Sequence, residues 1–320
     1  MPDDLRPAQP TGFMLADMPM QEPHAPATPA ASRARFFNSG NAFNLKLPPV
    51  PDCAFTEEPA RALDPATPTG WIACDASEAM HCPFPATSPL VLARYGRIRA
   101  REELRDEPVA SGVIHYVIAG AGVTECAGEA IAWGPGDIFV LPGGVPIRHR
   151  GGAEDAVLWV VTNSPMLAFE NLSAPQPGHA PTPAVHYPAS EIAEQVDRIY
   201  QANMNMDGDA GRALIFSSDS QAASRNVLPT LTLAMNSLPP GQLQRPHRHN
   251  SVAVSLVVQG QNCYSMIDGK RKDWAPWATT ITPPVSSHSH HNDGDQRAYF
   301  LIVQDGGLYY HARTMGFSFT

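Results

Sequence analysis

Five of the chain's twelve histidines fall between positions 247 and 291. His247 and His249 are two residues apart, so on a strand both side chains leave the same face. His288, His290 and His291 follow after a hairpin-sized interval, and a strand returning beside the first pair would set His288 opposite it. Three neutral imidazoles converging on one interior point form a facial metal site, with positions left open for water, substrate or dioxygen. Taken alone, His290 and His291 in the run Ser286-Ser-His-Ser-His-His-Asn292 also suit an exposed histidine-rich loop. An H-x-H pair with a distant third histidine suits a ligand set far better.

Such a set needs strands to hold it, and the sequence around it has that texture. From about Leu90, short apolar runs (Val113–Ile118, Ile138–Leu141, Val157–Val161) alternate with Gly- and Pro-bearing turns near every ten residues, the pattern of an antiparallel sandwich or barrel. A Pro-rich stretch from Ser173 to Pro188 interrupts it and reads as a linker. One helix is predicted next, with Ser190 as N-cap and Ile192, Val196, Ile199 and Tyr200 on one face. Strand texture resumes at Val227 and runs to Phe319. The two strand-rich regions parallel each other: Val113-Ile-His-Tyr-Val-Ile-Ala-Gly120 with Ala253-Val-Ser-Leu-Val-Val-Gln-Gly260, and Trp133–Pro142 with Trp274–Pro283. The Gly-to-Pro intervals, 22 and 23 residues, agree within one, as expected of an internally duplicated small barrel. Gly120-Ala-Gly122 is a hairpin turn and not a dinucleotide fingerprint, because no helix signal follows it.

Composition narrows the function classes. The 320 residues are 43% hydrophobic and 17% charged, enough apolar mass for one large or two ordinary domains. Lys and Arg total 22 against 31 Asp and Glu, a net charge of -9, which offers no footprint for nucleic acid and no attraction to an anionic membrane. No apolar run approaches a membrane span, and the amino terminus lacks the pattern of a secretory signal. Five scattered cysteines without a C-x-x-C pair argue against a disulfide framework or thiolate zinc site and suit a reducing cytoplasm. Sixteen of the 33 prolines lie in the first 90 residues, read as an extended arm whose apolar clusters, Phe36–Phe37 and Phe43–Leu47, dock on a surface. The expected organisation is an arm over 1–88, a degenerate barrel without metal over 89–170, a linker with one helix over 171–226, and a metal-binding barrel over 227–320.

The histidine-bearing segments resemble the two cupin motifs. Gly241, five residues, His247-Arg-His249 and then Gly260 looks like the first; Pro283, four residues, His288, three residues and Asn292 looks like the second. Ala253 stands where many cupins have a Glu ligand. Leu238-Pro-Pro-Gly-Gln and Pro246-His-Arg-His-Asn-Ser-Val-Ala253 resemble the gentisate 1,2-dioxygenase family, which includes salicylate and 1-hydroxy-2-naphthoate dioxygenases and binds Fe(II) through three His and no Glu. His288-Ser-His290 matches that family's second motif; Gly136-Asp-Ile-Phe-Val-Leu-Pro142 and Thr162-Asn-Ser-Pro165 look like its other cupin. The resemblance covers roughly residues 90–170 and 227–310. It implies an all-β fold of two cupin (double-stranded β-helix, jelly-roll) barrels, with one Fe(II) per chain held by His247, His249 and His288, and a homo-oligomer, dimer or tetramer.

Two departures bear on the carry-over. Counting back from Gly120, the first barrel offers Glu107, Val109 and Ile147 at the ligand positions, so the iron is expected in the second barrel and not in the first, where the family carries it. A substrate-clamping Arg six residues after the H-x-H is Ser255 here. The implied reaction is ring opening of a salicylate- or gentisate-type 2-hydroxybenzoate between carbons 1 and 2 with O2, with 5-halo or 5-nitro salicylates admissible. His290 and Asn236 are the candidate catalytic groups, and Arg245, His290 and Asn236 the candidate substrate contacts. Arg248 points away from the ligand face, Asn292 braces its loop, and His115 and His149 are ordinary surface or core histidines. Because a cupin barrel hosts many chemistries, a metal-dependent isomerase or hydrolase is the alternative among enzymes, and a non-catalytic ligand-binding bicupin is the alternative outside them.

Overall fold

A computed structural model describes residues 12, 14–204 and 211–320; the start of the expected arm and residues 205–210 of the expected linker lie outside the described residues. Met1–Pro48 and Pro49–Thr320 are separate compact units. Among its described residues the first contains one helical turn, Pro29–Ser32, capped where the Thr28 hydroxyl accepts the Ala31 N–H, and two short 3-10 turns. Of its apolar side chains, Phe36, Phe37, Phe43, Leu45 and Leu47 are exposed, Phe43 by 86%.

The second unit is two antiparallel barrels built on one plan. In the first, a six-stranded sheet runs Val185–Tyr187, Ile138–Pro142, Gly112–Ala119, Ala156–Thr162, Leu92–Ile98, Gly70–Cys74. It faces a four-stranded sheet of Glu103–Asp106, Ile147–Gly151, Gly122–Cys126 and Glu129–Trp133. In the second, the order is Ala54–Phe55, Thr279–Thr282, Ala253–Gln259, Ala298–Gln304, Thr232–Leu238, Arg212–Phe216. The facing sheet runs Lys270–Asp273, Cys263–Ile267, His288–Asn292, His247–His249, Phe317–Phe319. Corresponding strands occupy corresponding places, as the duplicated sequence expects.

The arm and linker boundaries differ from expectation. Residues 49–88 are not an arm: Gly70–Cys74 is an edge strand of the first barrel, and Ala54–Phe55 pairs with Thr279 and Thr280 on the second. Within 171–226, Val185–Tyr187 closes the first barrel's edge and Arg212–Phe216 the second's. Proline marks edge strands as readily as linkers, since its missing N–H matters least there. The helix forms as predicted, over Ala189–Gln201, and buries Ile192 and Val196. Its cap is not Ser190, which lies inside the first turn; Asp137 Oδ1 accepts the Ala189 N–H at 2.7 Å instead. Gly120 is a turn residue at φ +75°, where an added Cβ would fall 2.3 Å from the Asp155 carbonyl oxygen.

Strand periodicity sorts the core into two environments. Ile114, Tyr116 and Ile118 face outward from the first barrel into a cluster shared with Leu233, Val254, Leu256, Leu301 and Val303 of the second. Val113 and Val117 on the alternate face fill the first barrel with Phe139, Leu158 and Val160. The six-stranded sheets thus pack on each other, and their strands are buried on both sides. Thr279 stitches this contact: its hydroxyl meets Trp159 Nε1 at 2.9 Å and the Tyr95 hydroxyl at 2.8 Å. Replacing Thr279 by Val keeps the shape but leaves the fully buried Trp159 N–H without a partner. A loss of about 1–3 kcal/mol is expected, read as a lower urea midpoint at unchanged slope; an unchanged midpoint would show that this contact does not hold the barrels together.

Candidate metal centre

The strand His247–His249 is only three residues long, and it is held on both sides. His247 pairs directly with His288 on one neighbour, while Phe319 and Phe317 lie opposite His247 and His249 on the other. Both inward positions of the H-x-H pair and the first inward position of His288–Asn292 therefore meet. One ligand nitrogen from each of the three imidazoles lies within 4.8 Å of the others, and the ring centroids are 4.3, 4.8 and 5.9 Å apart. Each ring is oriented by a backbone carbonyl: His247 Nδ1 donates to Arg245 O at 2.8 Å, His249 Nδ1 to Ser251 O at 2.9 Å, and His288 Nδ1 to Ser286 O at 3.0 Å. Each Nε2 keeps its lone pair, and at His249 the Gln304 amide nitrogen lies 3.1 Å from it. Burial holds all three rings neutral, pushing His288 down to about 3 with help from His247 beside it. Three neutral nitrogen donors aimed at one point fit a divalent transition metal, with second partners fixing ring orientation. Ala253 leaves no carboxylate in the set; its cross-strand partner is Gln304.

The remaining sequence candidates separate. His290 lies on the same inward face as His288, buried, with its pKa driven well below 6.5 by burial and by the neighbouring histidines. Its ring sits 4.5 Å from Phe300 and its Nδ1 2.8 Å from the Ser265 hydroxyl. Asn236, opposite Phe300 in the sheet, lines a cleft of about 670 Å³ together with Phe300, Gln244 and Arg245. Arg245 is exposed on that cleft, its guanidinium 3.9 Å above the Phe319 ring. Arg248 points outward to Ser318, as expected of the alternate strand position. Asn292 braces its loop through Leu238 O, Gln296 O and Gly294 N. Ser255 is buried. His291 stacks on Tyr264 at 4.5 Å, in a strand and not in an exposed loop. Sequence reasoning missed Gln304, Ser265, Trp274 and Phe300. Trp274 carried a usable signal as the repeat partner of Trp133, and Ser265 one as the counterpart of Thr124, nine residues before the tryptophan in each repeat.

In the first barrel the counterpart positions shift by one residue. Ile147 corresponds to His288 as expected, but its strand partner is Asp106, so Asp106 and Pro108, not Glu107 and Val109, stand where His247 and His249 do. Counting back from Gly120 failed because the intervening loop is one residue longer. Asp106 is bound to Arg94, and Glu107 and Val109 are exposed. His115 and His149 are fully buried in that interior, with rings 5.1 Å apart.

Six buried imidazoles (His115, His149, His247, His249, His288, His290) have folded pKa values below the usual 6.5, so the unfolded chain takes up protons that the fold refuses. As pH falls below about 6.5, each removes up to about 1.4 kcal/mol per pH unit until its folded pKa is reached. Asp305 acts oppositely: burial pushes its carboxyl up to about 7, so protonating it adds stability from about pH 7 towards 4. Six groups outweigh one, and the metal-free protein is expected to lose thermal stability from pH 7 to pH 5; a constant or rising Tm would contradict the buried neutral rings. His247→Ala, His249→Ala and His288→Ala should each lose metal on dialysis while keeping a folded core, whereas His311→Ala, on an exposed helix end, should not. Full metal retention in all three would remove the assignment.

Comparison with known proteins accords with this geometry. Residues 99–211, covering most of the first barrel and the helix after it, match the family described as AraC-like ligand binding domain. The 5-aminosalicylate 1,2-dioxygenase of a Comamonas species is 33% identical over 97 residues, 30% of this chain and 26% of that protein. The gentisate 1,2-dioxygenase of a Ralstonia species is 33% identical over 79 residues, 25% of this chain and 22% of that one. These matches span about a quarter of each relative's length. The crystal structure of salicylate 1,2-dioxygenase from Pseudaminobacter salicylatoxidans shares the fold, with a TM-score of 0.72 over 89% of this chain and 92% of that one at 13% identity. The structural likeness shows the fold, two cupin barrels on one plan, and the local sequence likeness is to gentisate and 5-aminosalicylate 1,2-dioxygenases.

Proposed function

We propose that the protein is a non-haem Fe(II)-dependent dioxygenase that opens a salicylate- or gentisate-type 2-hydroxybenzoate between carbons 1 and 2, with one iron per chain in the second barrel. The observation that carries this reading is the donor set: three neutral imidazoles with their Nε2 atoms aimed at one point, and alanine where a carboxylate ligand would stand. Bound there, Fe(II) supplies open positions at which an ortho-hydroxy carboxylate chelates and dioxygen is activated. The two oxygen atoms end on carbons 1 and 2 as the bond between them breaks, so no external reductant is consumed.

The chain's own groups bind and orient the substrate. His290, neutral and buried beside the ligands, hydrogen-bonds a substrate oxygen and is the group placed to pass a proton. Asn236 and Arg245 line a cleft that also reaches Phe300, the ring beside His290, though none of the four histidines lines it; an amide and a guanidinium there suit a hydroxy acid, and the acidic chain otherwise repels it. Buried Ser255 supplies a hydroxyl where the resemblance would have put an Arg, so chelation carries more of the binding and the 5-position is freer to vary. The chain works as a homo-oligomer, dimer or tetramer, which the exposed Phe36, Phe37, Phe43, Leu45 and Leu47 support as surface to be covered. Five unpaired thiols suit a cytoplasmic setting, and no helix among the described residues is long and apolar enough to cross a membrane.

Oxygen uptake by the iron-loaded protein should occur with salicylate, gentisate or 5-substituted salicylates, and not with benzoate, which lacks the ortho-hydroxyl. Equal turnover of benzoate would rule out chelation as the organising principle, and no turnover of any 2-hydroxybenzoate would defeat the reading. Iron should saturate at one per chain, and a value near two would place a second site in the first barrel. His290→Ala should retain iron while losing about 10- to 100-fold in turnover, the usual cost of removing a group just outside the ligand set.

A further inference from the structure

Four imidazoles converge inside the second barrel, and their hydrogen bonds divide them three to one. In His247, His249 and His288 the Nδ1 atom faces a main-chain carbonyl, which only accepts, so Nδ1 carries the proton and Nε2 is bare. His290 is wired the other way. Its Nδ1 lies 2.8 Å from Ser265 Oγ, and the same oxygen receives the indole N–H of Trp274 at 2.9 Å. The indole can only donate, and the hydroxyl has one proton with no other acceptor among the described residues, so that proton goes to His290 Nδ1. Nε2 then holds the ring proton.

The first barrel contains the same chain of three groups. Trp133 Nε1 donates to Thr124 Oγ1 at 2.8 Å, and that hydroxyl lies 2.7 Å from His149 Nδ1. Thr124 pairs with His149 across the sheet as Ser265 pairs with His290. The positions equivalent to the three ligands are Asp106, Pro108 and Ile147 there, so the arrangement does not depend on a metal to form, and threonine serves in it as well as serine.

We propose that Ser265 and Trp274 are positioning residues that hold His290 in the Nε2–H tautomer, making the fourth histidine a hydrogen-bond donor to bound substrate and barring it from becoming a fourth nitrogen ligand. A protonated Nε2 has no lone pair for a metal, so the three-histidine set stays open although four imidazoles are within reach. The tautomer assignment stands on geometry alone; its consequence for turnover rests on the proposed ring cleavage.

Histidine-selective 15N NMR of the full chain loaded with Zn(II), a diamagnetic probe, reads the tautomers directly. Three rings should show protonated Nδ1 with metal-bound Nε2, and His290 should show bare Nδ1 with protonated Nε2. Ser265→Ala should shift the His290 signals towards the other tautomer and lower kcat about 10- to 100-fold at unchanged iron content, with a smaller change in KM. Ser265→Thr should restore both, since Thr124 fills that role in the first barrel, and Trp274→Phe should reproduce the shift in weaker form. Thr124→Ala, in the barrel without the ligand set, should leave the His290 signals and kcat unchanged. A protonated Nδ1 on His290 in the unaltered protein, or a His290 tautomer indifferent to Ser265→Ala and Trp274→Phe, would overturn the proposal. Absence of turnover with every 2-hydroxybenzoate, beside the expected NMR pattern, would defeat the reaction and leave the tautomer assignment standing.

Discussion

The three ligand imidazoles are buried and neutral, each has its one N–H satisfied by a main-chain carbonyl, and that double condition organises the site. The carbonyls of Arg245, Ser251 and Ser286 meet it for the three ligand rings, each from a residue two positions away. They can do so because the strands stop there: His247–His249 is bounded by Pro246 and by Ser251, and His288–Asn292 begins just after Ser286. A carbonyl engaged in a sheet ladder has one of its two lone pairs, and its direction, committed to the neighbouring strand. Short strands with early ends are therefore what frees the acceptors that turn three Nε2 atoms towards one another.

Short strands are weak by themselves, and the surrounding architecture compensates. The three-residue strand is clamped between His288–Asn292 and Phe317–Phe319, while the opposite sheet of the same barrel is anchored on the first barrel through Thr279, Trp159 and Tyr95. Ala54–Phe55, which precedes the first barrel in sequence, pairs with the second, and this crossing ties the two halves in a way that a simple tandem would not. The first barrel thus serves the site as a platform. Its interior is filled by Phe139, Leu158, Val160 and the stacked His115, with a ring separation of 4.3 Å between His115 and Phe139.

What the sequence made legible follows from how local each signal is. The barrels, their duplication and the histidine triad are written in period-two runs, matched turn glycines and an H-x-H spacing, all of which survive without knowledge of the partner strands. The arm and linker boundaries were not legible, because Ala54–Phe55, Val185–Tyr187 and Arg212–Phe216 are edge strands only in virtue of what they pair with. The first barrel's ligand positions were displaced by one because loop length, not residue type, sets the register between Asp106 and Ile147. Gln304 and Ser265 are single polar residues on otherwise ordinary strands, and nothing local marks them. The interval of nine residues that separates Thr124 from Trp133 also separates Ser265 from Trp274, so comparing the repeats at polar as well as apolar positions would have exposed that pair.

The loss of a carboxylate at Ala253 has an electrostatic consequence that bears on substrate class. With three neutral donors a divalent ion keeps its full charge, whereas a glutamate ligand would cancel half of it. A 2-hydroxybenzoate bound through carboxylate and phenolate oxygens brings two negative charges to such a centre, so the proposed substrate and the donor set are electrically matched in a way that a neutral ligand would not be. On the proposed binding mode, the same match would let the site do without a guanidinium clamp at Ser255. Where the ion's charge is undiminished, the carboxylate already has a strong cationic partner, and an additional buried Arg would carry a desolvation cost against a smaller remaining attraction. What the pocket then needs from its walls is uncharged donors to orient the bound oxygens, and the buried residues His290, Asn236 and Ser255 are of that kind.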